Sequence, residues 1–191
     1  MRELVPLLAE KGIAAESLAE AGFVEDPRES TIEAFDTFEQ NALAKARWFS
    51  ALAPGRAVLA EDSGLTVAAL DGRPGVRSKR WANVALEAQA LDDANNAALV
   101  AALEGVADRR ACYVCVAVIV ERDRTWSARG ETRGTIGLAP HGANGFGYDP
   151  WFRSDELGVT FAEATLDEKA SVSHRARAVR AVLDAYLRAD G

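Results

Sequence analysis

No stretch of this sequence reaches the length of apolar run that a membrane span requires. A spanning helix needs roughly 18 consecutive apolar residues, and polar or charged residues interrupt every apolar run here. The first residues also lack the continuous apolar region of a signal peptide. We therefore expect a cytoplasmic protein that does not interact with membranes.

The sequence also lacks an excess of positive charge. It contains 22 Lys and Arg residues against 29 Asp and Glu residues, which gives a formal net charge of -7. A general nucleic-acid binder needs a basic face to neutralise phosphates, so we expect no nucleic-acid partner. A protein of this charge that handles a polyanion needs local basic groups and a divalent cation.

Cysteine is scarce, and the two that are present form a single C-x-x-C at Cys112 and Cys115. They lie in "ACYVCVAVIVE", an apolar run typical of a buried strand. Residues three apart in a strand point to opposite faces, so we expect two small buried hydrophobic side chains. A redox or zinc site is the alternative.

Internal repeats, low-complexity tracts and long linkers are absent as well, so the 191 residues fit one domain, single or two-lobed. Local patterns predict alternating helices and strands, which is typical of an α/β protein. The predicted helices are 2–11, 38–52, 84–104 and 165–189; the predicted strands are 57–60, 111–121 and one or two within 125–138; and 25–36 is a predicted connection.

The segment "AEDSGL", residues 60–65, follows a short apolar run and carries two adjacent carboxylates. Glu61 and Asp62 are candidate ligands for Mg²⁺, which prefers carboxylate oxygens, and either one is a candidate general base. A solvated turn beyond the predicted strand is the structural alternative. The helix before it carries four polar residues that need a partner from another segment before they indicate a site: Glu39, Gln40, Asn41 and Lys45.

The loop "GANGFGYDP" displays Phe146 between two glycines. A base can stack on such a ring while exposed amides contact its edge. The alternative is a turn in which Phe146 and Tyr148 pack inward.

The segment "TLDEKASVSHR" begins with a capping box, since Thr165 and Glu168 have the required spacing. Lys169, His174 and Arg175 converge only if the helix breaks, because five and six positions rotate by about 140° and 240° on a continuous helix. A stop at Ser171 or Ser173 would allow that break and suit a phosphate or the oxygens of a base.

Four segments in this order resemble the inosine triphosphate pyrophosphatase family: "TFEQNALAKA", "AEDSGLTVAALDGRPGVRSKRWA", "GANGFGYDPWF" and "TFAEATLDEKASVSHRARA". They span positions 37–178 in register, which makes the resemblance specific. It implies hydrolysis of ITP, dITP or XTP to the monophosphate and pyrophosphate with Mg²⁺. It also implies a two-lobed α/β fold with a mixed sheet flanked by helices, and a homodimer.

The resemblance also implies roles for individual residues. Asp62 would be the general base and a metal ligand, Glu61 and Gln40 would be further candidate metal ligands, and Ser63 would contact the substrate. The residues implied to bind the purine are Phe146, Gly147, Tyr148, Asp149, Lys169, His174 and Arg175. Donors aimed at O6 would favour a keto purine over adenine, whose amino group would leave them unpaired.

Two departures from the family pattern qualify this expectation. Bacterial members usually carry Glu at the position of Gln40. Members also begin with a strand and a T/S-G-N-x-x-K phosphate loop, whereas this sequence begins at Met1 with the helix that follows that loop. We therefore expect a domain, 1–191, that is truncated at its N-terminus relative to the family, with a non-catalytic purine-nucleotide binder or dimerisation partner as the alternative to an enzyme.

Overall fold

A helix-flanked antiparallel sheet runs through the chain in a computed structural model that describes residues 3–24, 26 and 31–189. Within those residues the sheet has four strands in the order β1-β2-β3-β4. The strands are β1 (Val58–Val67), β2 (Arg110–Glu121), β3 (Arg124–Ile136) and β4 (Phe152–Ser154); the helices are α1 (Leu4–Ala9), α2 (Phe38–Leu52), α3 (Ala88–Ala102), α4 (Leu166–Val172) and α5 (His174–Ala189). The expected α/β class is confirmed.

The described chain divides into two units, each with its own core. Unit 1 comprises residues 1–62, 115–130 and 175–191, and unit 2 comprises 63–114 and 131–174. No helix among the described residues is long and apolar enough to cross a membrane.

The core of unit 1 follows directly from the periodicities of its elements. Every second residue of β2 from Cys115 to Ile119 is buried on one face, as strand alternation requires. In α5, Ala176, Val179 and Leu183 recur at intervals of three and four, which places them on one helical stripe. These faces pack together with Leu7 and Leu8 of α1.

The core of unit 2 is built around aromatic rings. Tyr113 of β2 lies edge-on to Phe152, with ring centroids 4.6 Å apart, and stacks on Phe161 at 5.7 Å. Phe152 and Phe161 are fully buried. Aromatic pairs at these distances stabilise a core beyond their buried area, so this cluster is a rigid base for the loops that surround it.

The largest difference from the sequence prediction is the length of β1. The prediction ended the strand at residue 60, and the alternative interpretation of "AEDSGL" was a solvated turn; both are wrong, because the strand continues to Val67. Pairing with β2 satisfies the backbone of these polar residues, and the Thr66 hydroxyl donates to the Cys112 carbonyl at 3.0 Å. Asp62 therefore lies within a strand rather than beyond its carboxyl end.

Other predicted elements agree more closely. The helix predicted over 38–52 has those bounds, with Thr37 as its N-cap, and the one or two strands predicted within 125–138 are one long strand, β3, which ends at Ile136. Helix α3 is shorter than the predicted 84–104. Helix α1 occupies the middle of the predicted helix 2–11. Residues 1 and 2, residues 25 and 27–30 of the predicted connection, and residues 190 and 191 lie outside the described residues.

The helical region predicted over 165–189 consists of two helices, with the break at one of the two serines that the sequence offered for it. Helix α4 ends at Val172, Ser173 has extended backbone angles, and α5 begins at His174. Thr165 caps α4 in a complete capping box with Glu168. The break separates Lys169 from the first turn of α5.

Candidate active site

One face of α2 contacts the carboxylate of Asp62 in unit 1. Asn41 and Lys45 are four residues apart and so share a helical face. Asn41 Nδ2 donates to Asp62 Oδ2 at 3.1 Å, and Lys45 Nζ lies 3.6 Å from Oδ1. The polar side chains of α2, for which the sequence identified no partner, therefore have one in Asp62 of β1.

Asn41 is itself fixed by the backbone of Phe35. The Phe35 amide donates to Asn41 Oδ1 at 3.0 Å, and Asn41 Nδ2 also donates to the Phe35 carbonyl at 3.2 Å. The residue is almost fully buried. Because its amide has no freedom to rotate without losing these bonds, it holds the Asp62 carboxylate in one orientation.

Burial raises the pKa of the Asp62 carboxyl above its ordinary value. Lys45 and Asn41 lower this pKa in part, whereas the nearby charges of Glu33 and Glu61 raise it. Lys45 is shared, since its Nζ also binds Glu33 at 2.7 Å. A carboxylate with a raised pKa accepts a proton more readily near neutral pH, as a general base must.

The sequence offered both Glu61 and Asp62 as candidate metal ligands, but the two side chains have different partners. Consecutive strand residues point to opposite faces, and Glu61 instead binds Arg175 Nε at 3.3 Å and accepts from Cys115 Sγ at 3.3 Å. Burial raises the pKa of the Cys115 thiol, which keeps it protonated. Arg175 also pairs with Glu3. Glu61 therefore neutralises a largely buried guanidinium.

The remaining candidate metal ligand, Gln40, is exposed in the first turn of α2. Its Oε1 accepts from the Thr37 hydroxyl at 3.0 Å. The described residues contain no group of three or more His, Cys, Asp or Glu side chains placed to hold a metal. Mg²⁺ commonly binds through only one or two protein carboxylates together with water and substrate phosphates, and the oxygens of Asp62 fit that chemistry.

In unit 2, the buried carboxylate of Asp149 collects three donors. Lys169 Nζ donates to Oδ2 at 2.7 Å, the Phe146 amide donates to the same oxygen at 2.9 Å, and the Tyr113 hydroxyl donates to Oδ1 at 3.3 Å. The side chains of Lys169 and Asp149 are 7% and 3% exposed. This ion pair joins α4 to the glycine-rich loop.

The two aromatic residues of that loop have different environments. Phe146 is 56% exposed and presents its ring, and Lys169 Nζ lies 4.8 Å from the ring centroid. Tyr148 is buried, and its hydroxyl donates to the Ser78 carbonyl at 2.8 Å. The sequence left open whether the aromatic rings of this loop are displayed or packed inward. The ring of Phe146 is displayed, and the ring of Tyr148 is packed inward.

The sequence grouped Lys169, His174 and Arg175 as candidates for one cluster, but each of them has a partner of its own. His174 is buried and stacks on Tyr113, with ring centroids 4.7 Å apart and planes 6° apart, in the unit that contains Lys169. Arg175 belongs to unit 1 with Glu61 and Glu3. Ser63 is half-buried in β1, at the start of unit 2.

Sequence reasoning missed Tyr113, which was assigned only to a buried strand, and two residues of α3, Asp92 and Asn96. Asp92 and Asn96 bind the backbone of Gly147. Their spacing of four in "DDANN" was a signal that two polar side chains share a helical face. The role of Tyr113 had no sequence signal, because a strand pattern does not show which hydroxyl reaches a carboxylate.

A cavity of about 470 Å³ lies in unit 2 beside α3 and residues 140–151. Phe146 and Asn96 are among its lining residues, whereas Asp149, Lys169 and His174 are not. It therefore borders the displayed ring but does not contain the buried ion pair.

Comparison with known proteins finds relatives along most of the chain. The chain is 45% identical over 181 residues to a dITP/XTP pyrophosphatase from Exiguobacterium sp., covering 94% of this chain and 88% of the relative. It is 48% identical to a dITP/XTP pyrophosphatase from Aromatoleum aromaticum, covering 95% and 88%. A solved HAM1 protein from Coxiella burnetii superposes with a TM-score of 0.82 at 33% identity, covering 98% of this chain and 92% of that one.

A second solved structure, the Staphylococcus aureus Ham1 protein, superposes with a TM-score of 0.81 at 32% identity, covering 100% of this chain and 95% of that one. The model of the Ham1 family matches residues 1–185. These matches confirm the resemblance seen in the four sequence motifs. The chain belongs to the Ham1 family.

Proposed function

We propose that this protein hydrolyses the purine nucleoside triphosphates dITP, XTP and ITP to the monophosphate and pyrophosphate, which clears them from the nucleotide pool. The observation that carries the proposal is the Lys169–Asp149 pair beside the exposed Phe146 ring. It occurs in a chain whose relatives are dITP/XTP pyrophosphatases.

Base recognition rests on the groups of unit 2. A purine stacked on Phe146 would compete with Lys169 for the face of the ring. Lys169 is a cationic donor suited to the O6 of a keto purine, and Asp149 keeps it close to the ring. Adenine presents an amino group at that position, so a buried donor would lose its partner and the affinity would fall.

Hydrolysis adds water across the link between the α and β phosphates. One proton of the attacking water passes to Asp62, the P–O bond of the link breaks, and pyrophosphate leaves. Asn41 and Lys45 hold the accepting carboxylate in place. Mg²⁺, held through Asp62 and the phosphates, would supply charge neutralisation on the phosphate oxygens. Gln40 is a further candidate ligand.

We place this activity in the cytoplasm, where free nucleoside triphosphates are made and used, and we propose a homodimer as the working form. No polyanionic polymer or membrane is needed for the reaction, since substrate, water and metal are all small.

The test is a pyrophosphate-release assay with ITP, dITP, XTP and ATP in the presence of Mg²⁺. We expect turnover of the first three and little of ATP. Absence of pyrophosphate from all four would overturn the proposal, and calorimetric binding of ITP without turnover would favour a nucleotide-binding role.

A further inference from the structure

The backbone of Gly147 is held on both sides by one face of α3. Asp92 Oδ2 accepts from the Gly147 amide at 2.9 Å, and Asn96 Nδ2 donates to the Gly147 carbonyl at 3.0 Å. The two side chains are four residues apart and therefore lie one above the other on the helix. A carboxylate faces the N–H and an amide NH₂ faces the C=O, so each group of this residue has a partner of the correct polarity.

The loop needs such a restraint because its two glycines restrict the backbone very little. Gly145 and Gly147 both have positive φ, at 77° and 59°, and glycine has the greatest freedom of any residue to leave such a conformation. The Phe146 ring between them is more than half exposed, and Lys169 Nζ lies 4.8 Å from its centroid. Hydrogen bonds to the loop backbone therefore contribute to the position and direction of the ring.

Asp149 supplies one of these bonds, from the Phe146 amide, and α3 supplies the next two. Asn96 is nine-tenths buried, so its bond to the carbonyl is protected from competing water. Helix α3 in turn packs into the core of unit 2 through Leu99, which is fully buried. The loop is thus tied to a rigid element.

We propose that Asp92 and Asn96 are positioning residues for purine recognition. They hold Gly147 so that the ring of Phe146 stands ready to stack on the base. This inference rests on the proposed function. The two residues touch the loop rather than the substrate, so their loss weakens base binding and leaves the chemistry of hydrolysis largely intact.

The test uses isosteric variants whose hydrogen-bonding capacity differs. Asn96→Asp removes the donor and turns a carboxylate toward a carbonyl oxygen, and Asp92→Leu removes the acceptor. Asp92→Asn keeps an oxygen that accepts from the Gly147 amide. Glu104→Gln is the matched control, because Glu104 is exposed two positions after the end of α3 and does not line the cavity beside Phe146.

We expect Asn96→Asp and Asp92→Leu to raise the KM for ITP about tenfold, the change in an equilibrium constant that the loss of one hydrogen bond produces. Their kcat should change far less. Asp92→Asn should recover most of the loss, and Glu104→Gln should match the parent. In a Phe146→Ala background the same substitutions should have little further effect on KM, because they act through that ring.

Amide hydrogen exchange gives a readout that does not depend on turnover. The Gly147 amide should exchange faster in Asp92→Leu than in the parent protein, while amides in β2 stay protected. An unchanged KM in folded Asn96→Asp and Asp92→Leu, or equal effects with and without the Phe146 ring, would overturn the inference. A parent protein that turns over no substrate would instead overturn the proposed function, and the exchange result would then still test whether α3 restrains the loop.

Discussion

Lys169 and Asp149 form a buried ion pair in unit 2, with Nζ and Oδ2 2.7 Å apart. The pair has a double role in our proposal, because Asp149 also fixes the Phe146 amide and Lys169 lies over the Phe146 ring. A buried charge that loses its partner is costly, since neither water nor another ion replaces it.

Lys169→Met should therefore destabilise the protein by about 3 kcal/mol, because the Asp149 carboxylate remains buried without the cation that pairs with it. Urea unfolding measures the change. The double variant with Asp149→Asn should lose less free energy of unfolding than the two single variants lose together, since no charge is left unpaired. Lys79→Met, at an exposed position of the same unit, should change stability by less than about 0.5 kcal/mol.

Asp62→Asn should lower kcat for ITP by at least about a hundredfold, because an amide cannot accept the proton of water. The measurement is pyrophosphate release at saturating substrate. Asp71→Asn is the control: it replaces an exposed aspartate whose φ of 53° asparagine tolerates. A fully active Asp62→Asn variant would show that the base has been assigned to the wrong residue.

Gln40→Glu should change the Mg²⁺ requirement of the enzyme, whereas Glu61→Gln should change the stability of the fold. Gln40 is exposed at the start of α2, so a carboxylate there should lower the Mg²⁺ concentration for half-maximal activity several-fold without destabilising the fold. Glu61→Gln removes a charged partner of Arg175 and should lower the urea midpoint while leaving the Mg²⁺ requirement unchanged. A Mg²⁺ titration that responds to Glu61→Gln and not to Gln40→Glu would reverse this assignment.

The capping box of α4 predicts a pH dependence of stability. Hydrogen bonds from the Thr165 backbone and then its hydroxyl lower the pKa of the Glu168 carboxyl from its ordinary 4.5. A group whose folded pKa is lowered stabilises the fold above its unfolded pKa, and this contribution disappears as the pH falls through the folded value. The parent should therefore exceed Glu168→Gln in urea midpoint at pH 7.

As the pH falls below 4.5 and through the lowered pKa of Glu168, the two proteins should converge, because protonated Glu168 resembles glutamine. A difference that widens on acidification would contradict the capping interpretation. Thr165→Ala should cost about 1 kcal/mol at pH 7, as the loss of an N-cap does in other helices.

Some features of the fold were predictable because they depend on neighbours in the chain. The bounds of α2 followed from Thr37 and the helical spacing of its apolar residues, and Ser173 was one of two serines at which the sequence allowed a helix break. Capping and periodicity act over a few residues, so a single sequence contains them. The same is true of the motifs that indicated the family.

The contacts of the candidate site were less accessible from the sequence. "AEDSGL" has the composition of a turn, but pairing with β2 extends it as a strand, and strand alternation then sends Glu61 to Arg175 and Asp62 to Asn41. Asp92 and Asn96 were visible only as polar residues of a predicted helix. Hydrogen bonds between segments more than 50 positions apart leave no local pattern.

The sequence by itself determined the order of the elements, the four motifs and the residue types available for the chemistry, because these follow from composition and short-range periodicity. Only the tertiary structure decided which carboxylate faces α2, which one neutralises Arg175 and what holds the Phe146 loop. The physical reason is that long-range strand pairing and burial select the partners of polar groups, and a buried polar group must find a partner wherever the fold brings one.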